Sequence, residues 1–250
     1  MKRIVSLFAA IAAIGIVGGA NAADMPTKTP VKAAPVVAPA YNWTGFYIGA
    51  VGSYGWGDAQ HCQHNITAFA ECDASFPQTN LTGWQGGATV GYNWQWTTWV
   101  FGIEGDWSWG KLSGSSPSTT TFGCIAPAGV AGCFTDIKST ATIRGRVGWA
   151  FDRFLPYVTA GVAWNKLEAS MGAVTVSSGD TTKASFVAGA GLEYAVWQNL
   201  SAKVEYLYIS KVGDLTYDNG AACGPATPCY AHVGAINEVR FGLNYRFTGL

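Results

Sequence analysis

The sequence is short of charge. Lysine and arginine number 15, aspartate and glutamate 15, and together they make up 12% of the chain. Soluble domains carry about 25% charged residues, so much of this surface is not built to face water. Neither sign is in excess, which argues against a nucleic-acid partner, because that chemistry calls for a basic patch. Long apolar runs are missing too. Past residue 23 nothing approaches the roughly 18 uninterrupted apolar residues of a spanning helix. Histidine is scarce, with 3 copies, all in predicted loops, and no serine sits in a nucleophile-elbow setting, which weighs against catalysis and leaves a lipid-modifying barrel with loop histidines as the enzymatic alternative. A chain that is apolar outside and has no spanning helix has one other membrane solution. It closes its strands into a barrel, so that every backbone group is paired.

What is abundant fits that solution. Aromatics reach 14% and glycine 32 copies. The segment Glu238-Val-Arg-Phe-Gly-Leu-Asn-Tyr-Arg-Phe247 separates its residues by parity. Val239, Phe241, Leu243, Tyr245 and Phe247 share one face of a strand; Glu238, Arg240, Gly242, Asn244 and Arg246 share the other. One face suits lipid and the other a small polar interior. The same alternation recurs near 44–57, 83–95, 98–110, 138–151, 155–167, 183–196 and 199–209, which makes eight strands in all. Tight turns, Gln95 to Thr98, Asp152 to Phe154 and Trp197 to Asn199, alternate with long polar loops near 58–82, 111–137, 168–182 and 210–233. Short turns on one side and long loops on the other mark an all-β, eight-stranded antiparallel up-and-down transmembrane β-barrel with both termini periplasmic.

The front of the chain reads as export machinery. Lys2 and Arg3, the apolar stretch Ile4 to Gly19 and the small residues Ala20-Asn-Ala22 form a signal peptide over 1–23. Residues 24–40 carry four prolines and several alanines and read as an extended periplasmic linker. Residues 41–250 are the barrel domain.

Aromatics gather at strand ends, where lipid–water interfaces favour them. Trp43, Trp94, Trp96, Trp99, Phe151, Phe154, Trp197 and Phe247 are expected in a periplasmic girdle. Tyr54, Trp56, Trp84, Trp107, Trp109, Trp164, Phe186 and Tyr208 are expected in an outer one. The inward face supplies a lumen charge network: Glu104, Asp106, Arg144, Arg146, Glu193, Lys203, Glu205, Glu238, Arg240 and Arg246. An eight-stranded barrel is only wide enough for its own side chains, so these charges are expected to pair and plug it. A narrow pore lined by the same charges, or a catalytic carboxylate pair, are the alternatives.

The 6 cysteines fall as local pairs inside predicted outer loops: Cys62 with Cys72, Cys124 with Cys133, and Cys223 with Cys229. Export to an oxidising compartment favours disulfides, each contributing about 2–3 kcal/mol through chain entropy. Metal or haem binding with His61, His64 and His232 is the alternative. His61-Cys-Gln-His64 has no zinc-ligand spacing, so no metal or cofactor is expected. The triplets at Asn42, Asn65 and Asn80 match a glycan acceptor and are read as chance.

Several motifs carry a resemblance. They are Trp43-Thr-Gly-Phe-Tyr-Ile-Gly49 after the linker that begins Ala23-Asp-Met-Pro, Gly83-Trp-Gln-Gly-Gly-Ala-Thr-Val-Gly-Tyr-Asn-Trp94, Phe101-Gly-Ile-Glu-Gly-Asp106, Arg144-Gly-Arg-Val-Gly148 and Leu155-Pro-Tyr-Val-Thr-Ala-Gly-Val-Ala163. Together the chain resembles the alphaproteobacterial small outer-membrane β-barrels, known as porin-family or outer-membrane immunogenic proteins. The resemblance implies a non-enzymatic role in envelope integrity and surface antigenicity, with haemin binding or small pores credited to some members. It implies outer-membrane lipid, lipopolysaccharide and the barrel-assembly machinery as partners, with peptidoglycan and haemin as further candidates. Arg240, Gly242, Tyr245 and Phe247 resemble the assembly signal of a closing strand, here followed by Thr248-Gly-Leu250.

Overall fold

The structure is a computed structural model and describes residues 41–63, 78–116, 132–171, 181–217 and 229–247. The strands are β1 (Gly45–Gln63), β2 (Gln78–Trp96), β3 (Trp99–Ser116), β4 (Cys133–Trp149), β5 (Phe154–Met171), β6 (Thr181–Ala195), β7 (Leu200–Ile209), β8 (Gly213–Tyr217) and β9 (Cys229–Phe247). All neighbours pair antiparallel, and β9 returns to β1, with Phe46 opposite Phe247 and Tyr54 opposite Val239. β7 and β8 are the lower and upper parts of one wall, because both pair with β9. The result is a closed eight-stranded antiparallel barrel, and no helix among the described residues is long and apolar enough to cross a membrane.

Alternation explains the two faces. Ile48, Val90, Ile103, Ile143, Val158 and Leu243 point outward and are exposed, while Ser53, Thr89, Glu104, Arg144, Thr159 and Asn244 point inward and are buried. Trp94, Trp96, Trp99, Phe151, Phe154 and Trp197 ring one end of the outer wall; Trp56, Trp84, Trp107, Trp109, Trp164, Phe186 and Tyr208 ring the other. The ring-bearing end with tight turns has two backbones in the left-handed region, Thr97 at φ 56° and Asp152 at φ 51°. Positive φ suits the twist of two-residue hairpins. The Thr97 turn is braced by Gln95, whose Nε2 donates to the Thr97 carbonyl at 2.8 Å.

Three features differ from expectation. First, the strands run well past the outer aromatic ring. Segments expected as loops at 58–82 and 111–137 contribute strand as far as Gln63, from Gln78, to Ser116 and from Cys133. The connecting segments outside the description are therefore 64–77, 117–131, 172–180 and 218–228. Bulges at Gly57/Ala59, Trp109/Leu112 and Ile137/Ser139 lie just above that ring. A bulge inserts an extra residue, so strand parity can reset across it. In β4, Thr140 and Thr142 face inward below the bulge, and Thr135 and Ile137 face inward above it.

Second, the interior is only partly polar. Leu81, Leu112, Ile137, Leu167, Leu207, Ile209, Leu215 and Ile236 are fully buried in one inner cluster in the outer half of the barrel. Half of these, Leu81, Leu112, Ile137 and Leu215, sit in segments whose polar flanks disguised them as loop. Third, Trp43 is not a girdle residue. It is 1% exposed and packs with Val100, Ala150, Leu155, Tyr157 and Ala195 inside the periplasmic mouth. Its indole Nε1 donates to the Asp152 carbonyl at 3.2 Å, and its amide donates to Gln95 Oε1 at 2.7 Å.

Among the described residues the wall is interrupted between β6 and the β7–β8 step. β6 pairs with β7 only as far as Val187 opposite Ile209. A last link follows, from the Ser210 amide to the Phe186 carbonyl at 2.8 Å. Above it, the chain steps through Ser210 to Val212, Gly213 adopts φ 119°, and β8 departs with β9. Among the described strands, the upper part of β6 pairs with β5.

Candidate functional site in the barrel interior

Between the two apolar layers lies a belt of buried charge. Arg144 on β4 is its hub. Its Nη2 meets Glu104 Oε1 at 2.7 Å and Asp106 Oδ2 at 2.9 Å, and its Nη1 meets Glu205 Oε1 at 2.8 Å. The remaining Nε donates to Thr142 Oγ1 at 2.9 Å. One planar guanidinium thus reaches carboxylates on two other strands, which its fixed fork of donors permits. Lys203 on β7 donates to both oxygens of Glu104 at 2.7 Å. Arg240 on β9 reaches Asp106 Oδ1 at 2.7 Å. Arg146 binds Glu193 Oε2 at 2.9 Å and Asn93 Oδ1 at 2.9 Å.

Neutral residues complete the belt, and these were not singled out from sequence. Tyr47 donates to Glu104 Oε2 at 2.7 Å, and Tyr157 donates to Glu205 Oε1 at 3.1 Å. The Arg146 guanidinium lies 5.1 Å from each of the Tyr47 and Tyr157 ring centres, a cation–π sandwich. Ser201 and Asn244 donate to Glu193 Oε1 at 2.5 and 3.1 Å. The signal for both tyrosines was present: each has the parity of the inward face.

Two expected members sit differently. Glu238 is buried, but its charged contact is a 4.0 Å approach to Arg240 Nε. Arg246 stands apart at the periplasmic mouth. Its guanidinium lies 4.3 Å from the Tyr41 ring centre and donates to the Gln198 carbonyl at 2.9 Å. Burial raises the Tyr41 hydroxyl above its ordinary pKa, with Arg246 pulling the other way. Tyr41, Trp43 and Arg246 thus cover the opening together.

In the belt and beside it, several buried polar atoms lack a hydrogen-bond partner among the described residues: both side-chain polar atoms of Gln85, Ser185 Oγ, Glu205 Oε2 and Arg240 Nε. Buried polar atoms are ordinarily paired, and water is the natural partner in a polar site.

The remaining predicted residues fall as follows. Cys133 opens β4 and is disulfide-bonded. Cys72, Cys124 and Cys223, and the side chains of Cys62 and Cys229, lie outside the described residues, as does His64. His61 is buried, with Nε2 3.1 Å from Thr135 Oγ1, and His232 pairs with Asp214. Among the described residues no three His, Cys, Asp or Glu side chains converge as metal ligands. On β9, Arg240 and Gly242 face in, while Tyr245 faces out and stacks edge-on with Phe247 at 5.3 Å.

Comparison with known proteins extends this picture. A family profile described as outer membrane protein beta-barrel domain matches residues 9–247. The 31 kDa outer-membrane immunogenic protein of Brucella melitensis biotype 1 is 31% identical, over 99% of this chain and 100% of that protein. The 25 kDa outer-membrane immunogenic protein of Brucella abortus biovar 1 is 29% identical, over 91% of each. The 22 kDa outer membrane protein of Rhizobium leguminosarum bv. viciae is 30% identical, over 84% of this chain and 81% of its own. Among solved structures, the outer membrane protein OprG of Pseudomonas aeruginosa superposes with a TM-score of 0.56 at 12% identity, covering 83% of this chain and 99% of that one. That last likeness is one of fold.

Proposed function

Because the chain belongs to the outer-membrane protein β-barrel family and lies in the outer membrane, we propose that it is a closed, non-enzymatic barrel that contributes to envelope integrity and displays its outer loops at the surface. The supporting observation is the stacked interior. Arg144 ties β3, β4 and β7 together across the lumen, Trp43 covers the periplasmic side, and the Leu112, Ile137 and Leu167 layer covers the outer side. An ion would have to displace buried, paired charges and two apolar layers to pass. Disulfides within loops, Cys62 with Cys72, Cys124 with Cys133 and Cys223 with Cys229, would brace the displayed surface.

The test is conductance in a planar bilayer with the purified, refolded chain. The plugged reading expects no steady channels. Channels of fixed size that change on Arg144→Ala or Glu104→Gln would overturn it in favour of a narrow passive pore. That second reading draws support from the layer of unpaired polar atoms around Gln85 and Arg240. A haemin-binding role gains less: His61 turns into the lumen and His232 is engaged by Asp214.

A further inference from the structure

Above the outer aromatic ring the strands continue as a cap. On β1 the cap begins at Asp58, and His61 lies five residues beyond Trp56, about 16 Å of strand. Aromatics mark the lipid–water interface, so the cap stands clear of hydrocarbon. Its interior is apolar all the same. Leu81, Ala169, Leu215, Ala231 and Val233 line it and are buried. His61 is set into this lining at 0% exposure. Its Nε2 stands 3.1 Å from Thr135 Oγ1, so the imidazole reaches from β1 across to β4.

The wall sorts charge away from it. Asp58, Asp136, Glu168 and Asp214 have outward parity, and the last three are engaged by Lys111, Lys138 and His232. Among the described side chains, the inward positions of the cap on β2, β3, β4, β5, β8 and β9 carry no ionisable group, and Cys133 is disulfide-bonded. The charged side chain of inward parity there is Lys183 on β6, which has the same sign as an imidazolium. The belt is remote. Its uppermost carboxylate, Glu238, stands opposite Gly55, six residues down β1 from His61 and about 20 Å of strand away. Leu112 fills the place that a Gly55 side chain would take.

We propose that His61 makes the cap an acid-sensitive latch, which on protonation opens above a barrel that stays closed and bares its apolar lining at the outer surface. A charged imidazole in this lining has lost its water and gained no carboxylate, so it reaches water by parting the strands. The seam between β6 and the β7–β8 step is the weak line, because no ladder joins the described strands there. Burial pushes the His61 imidazole down to about 4, from an ordinary value near 6.5. The opened cap therefore takes up the proton first. The closed cap is fully stable above pH 6.5 and loses stability as pH falls toward 4. A difference of that size makes opening about 300-fold easier in full, and about twentyfold easier between pH 7 and pH 5. The latch works whether or not the lumen conducts.

The experiment is hydrogen exchange on the refolded chain in detergent micelles from pH 7 to pH 4, each rate referred to the free-peptide rate at that pH. Cap segments around Leu81, Ala169 and Val233 are expected to lose about twentyfold in protection by pH 5, while segments around Val90, Ile103 and Ile143 hold theirs. In His61→Gln the cap should show no such loss, and in His232→Gln the loss should remain. Constant cap protection in the wild type, the same loss in His61→Gln, or parallel loss in the membrane strands would each overturn the latch. Should His61→Gln not refold, NMR of histidine-labelled wild type decides. A His61 ring that titrates near pH 4 as cap protection falls supports the latch, and one that titrates near 6.5 in a protected cap ends it.

Discussion

At the residue scale, the interior is governed by what one substitution leaves behind. A buried ion pair is weak evidence for net stability, because desolvation offsets much of its attraction. Breaking it is different. Arg144→Met would strand Glu104, Asp106 and Glu205 around an uncharged side chain. The expected loss is about 3–5 kcal/mol, measured by reversible denaturant unfolding in micelles. A loss below 1 kcal/mol would mean the belt is loosely held. Glycines offer a sharper contrast. A Cβ on Gly161 would stand 2.0 Å from the Ile143 carbonyl oxygen, a main-chain atom that cannot swing away. On Gly52 it would meet nothing within 4 Å. Gly161→Ala is therefore expected to destabilise the barrel by about 1–3 kcal/mol, as overpacking does, and Gly52→Ala to be neutral or mildly stabilising. The same unfolding measurement separates them.

At the element scale, the segment before β1 and the step after β7 carry the information that strand periodicity did not. Trp43 looked like a girdle aromatic because it begins the first alternating run. Its true environment depends on Asp152 and Gln95, which come from turns distant in sequence. Removing it should loosen the periplasmic mouth without opening the lumen, since the charge belt lies beyond. Trp43→Ala is expected to lower unfolding stability by about 3–5 kcal/mol while bilayer recordings stay silent. Channels appearing in that variant would make Trp43 the main seal. The strand cores were legible because parity and aromatic placement repeat in each. Their outer extensions were not. Bulges at Gly57/Ala59 and Ile137/Ser139 fall where alternation would otherwise have been followed further, and a single parity cannot be carried across them.

At the scale of the whole molecule, low charge, missing spanning helices and alternating turn lengths were enough to specify an eight-walled barrel. The belt was partly legible, because inward parity picks out Arg144, Glu104 and their neighbours. Pairing geometry was not, as Arg246 shows: its parity matches Arg240, yet the outcome is set by Tyr41 and Gln198 at the rim. The apolar upper layer was hidden because leucines such as Leu81 and Leu215 occur singly among polar residues, and only closure brings them together.

The last strand has a consequence for how the barrel is made. β9 carries Arg240 to Asp106 on β3 and Asn244 to Glu193 on β6, contacts that cross the cylinder rather than run along its seam. Those ions stay wet until β9 docks against β1. The terminal strand therefore acts as a clasp: fastening it dries the interior and finishes the wall in a single event, and a half-assembled cylinder would remain a hydrated sheet.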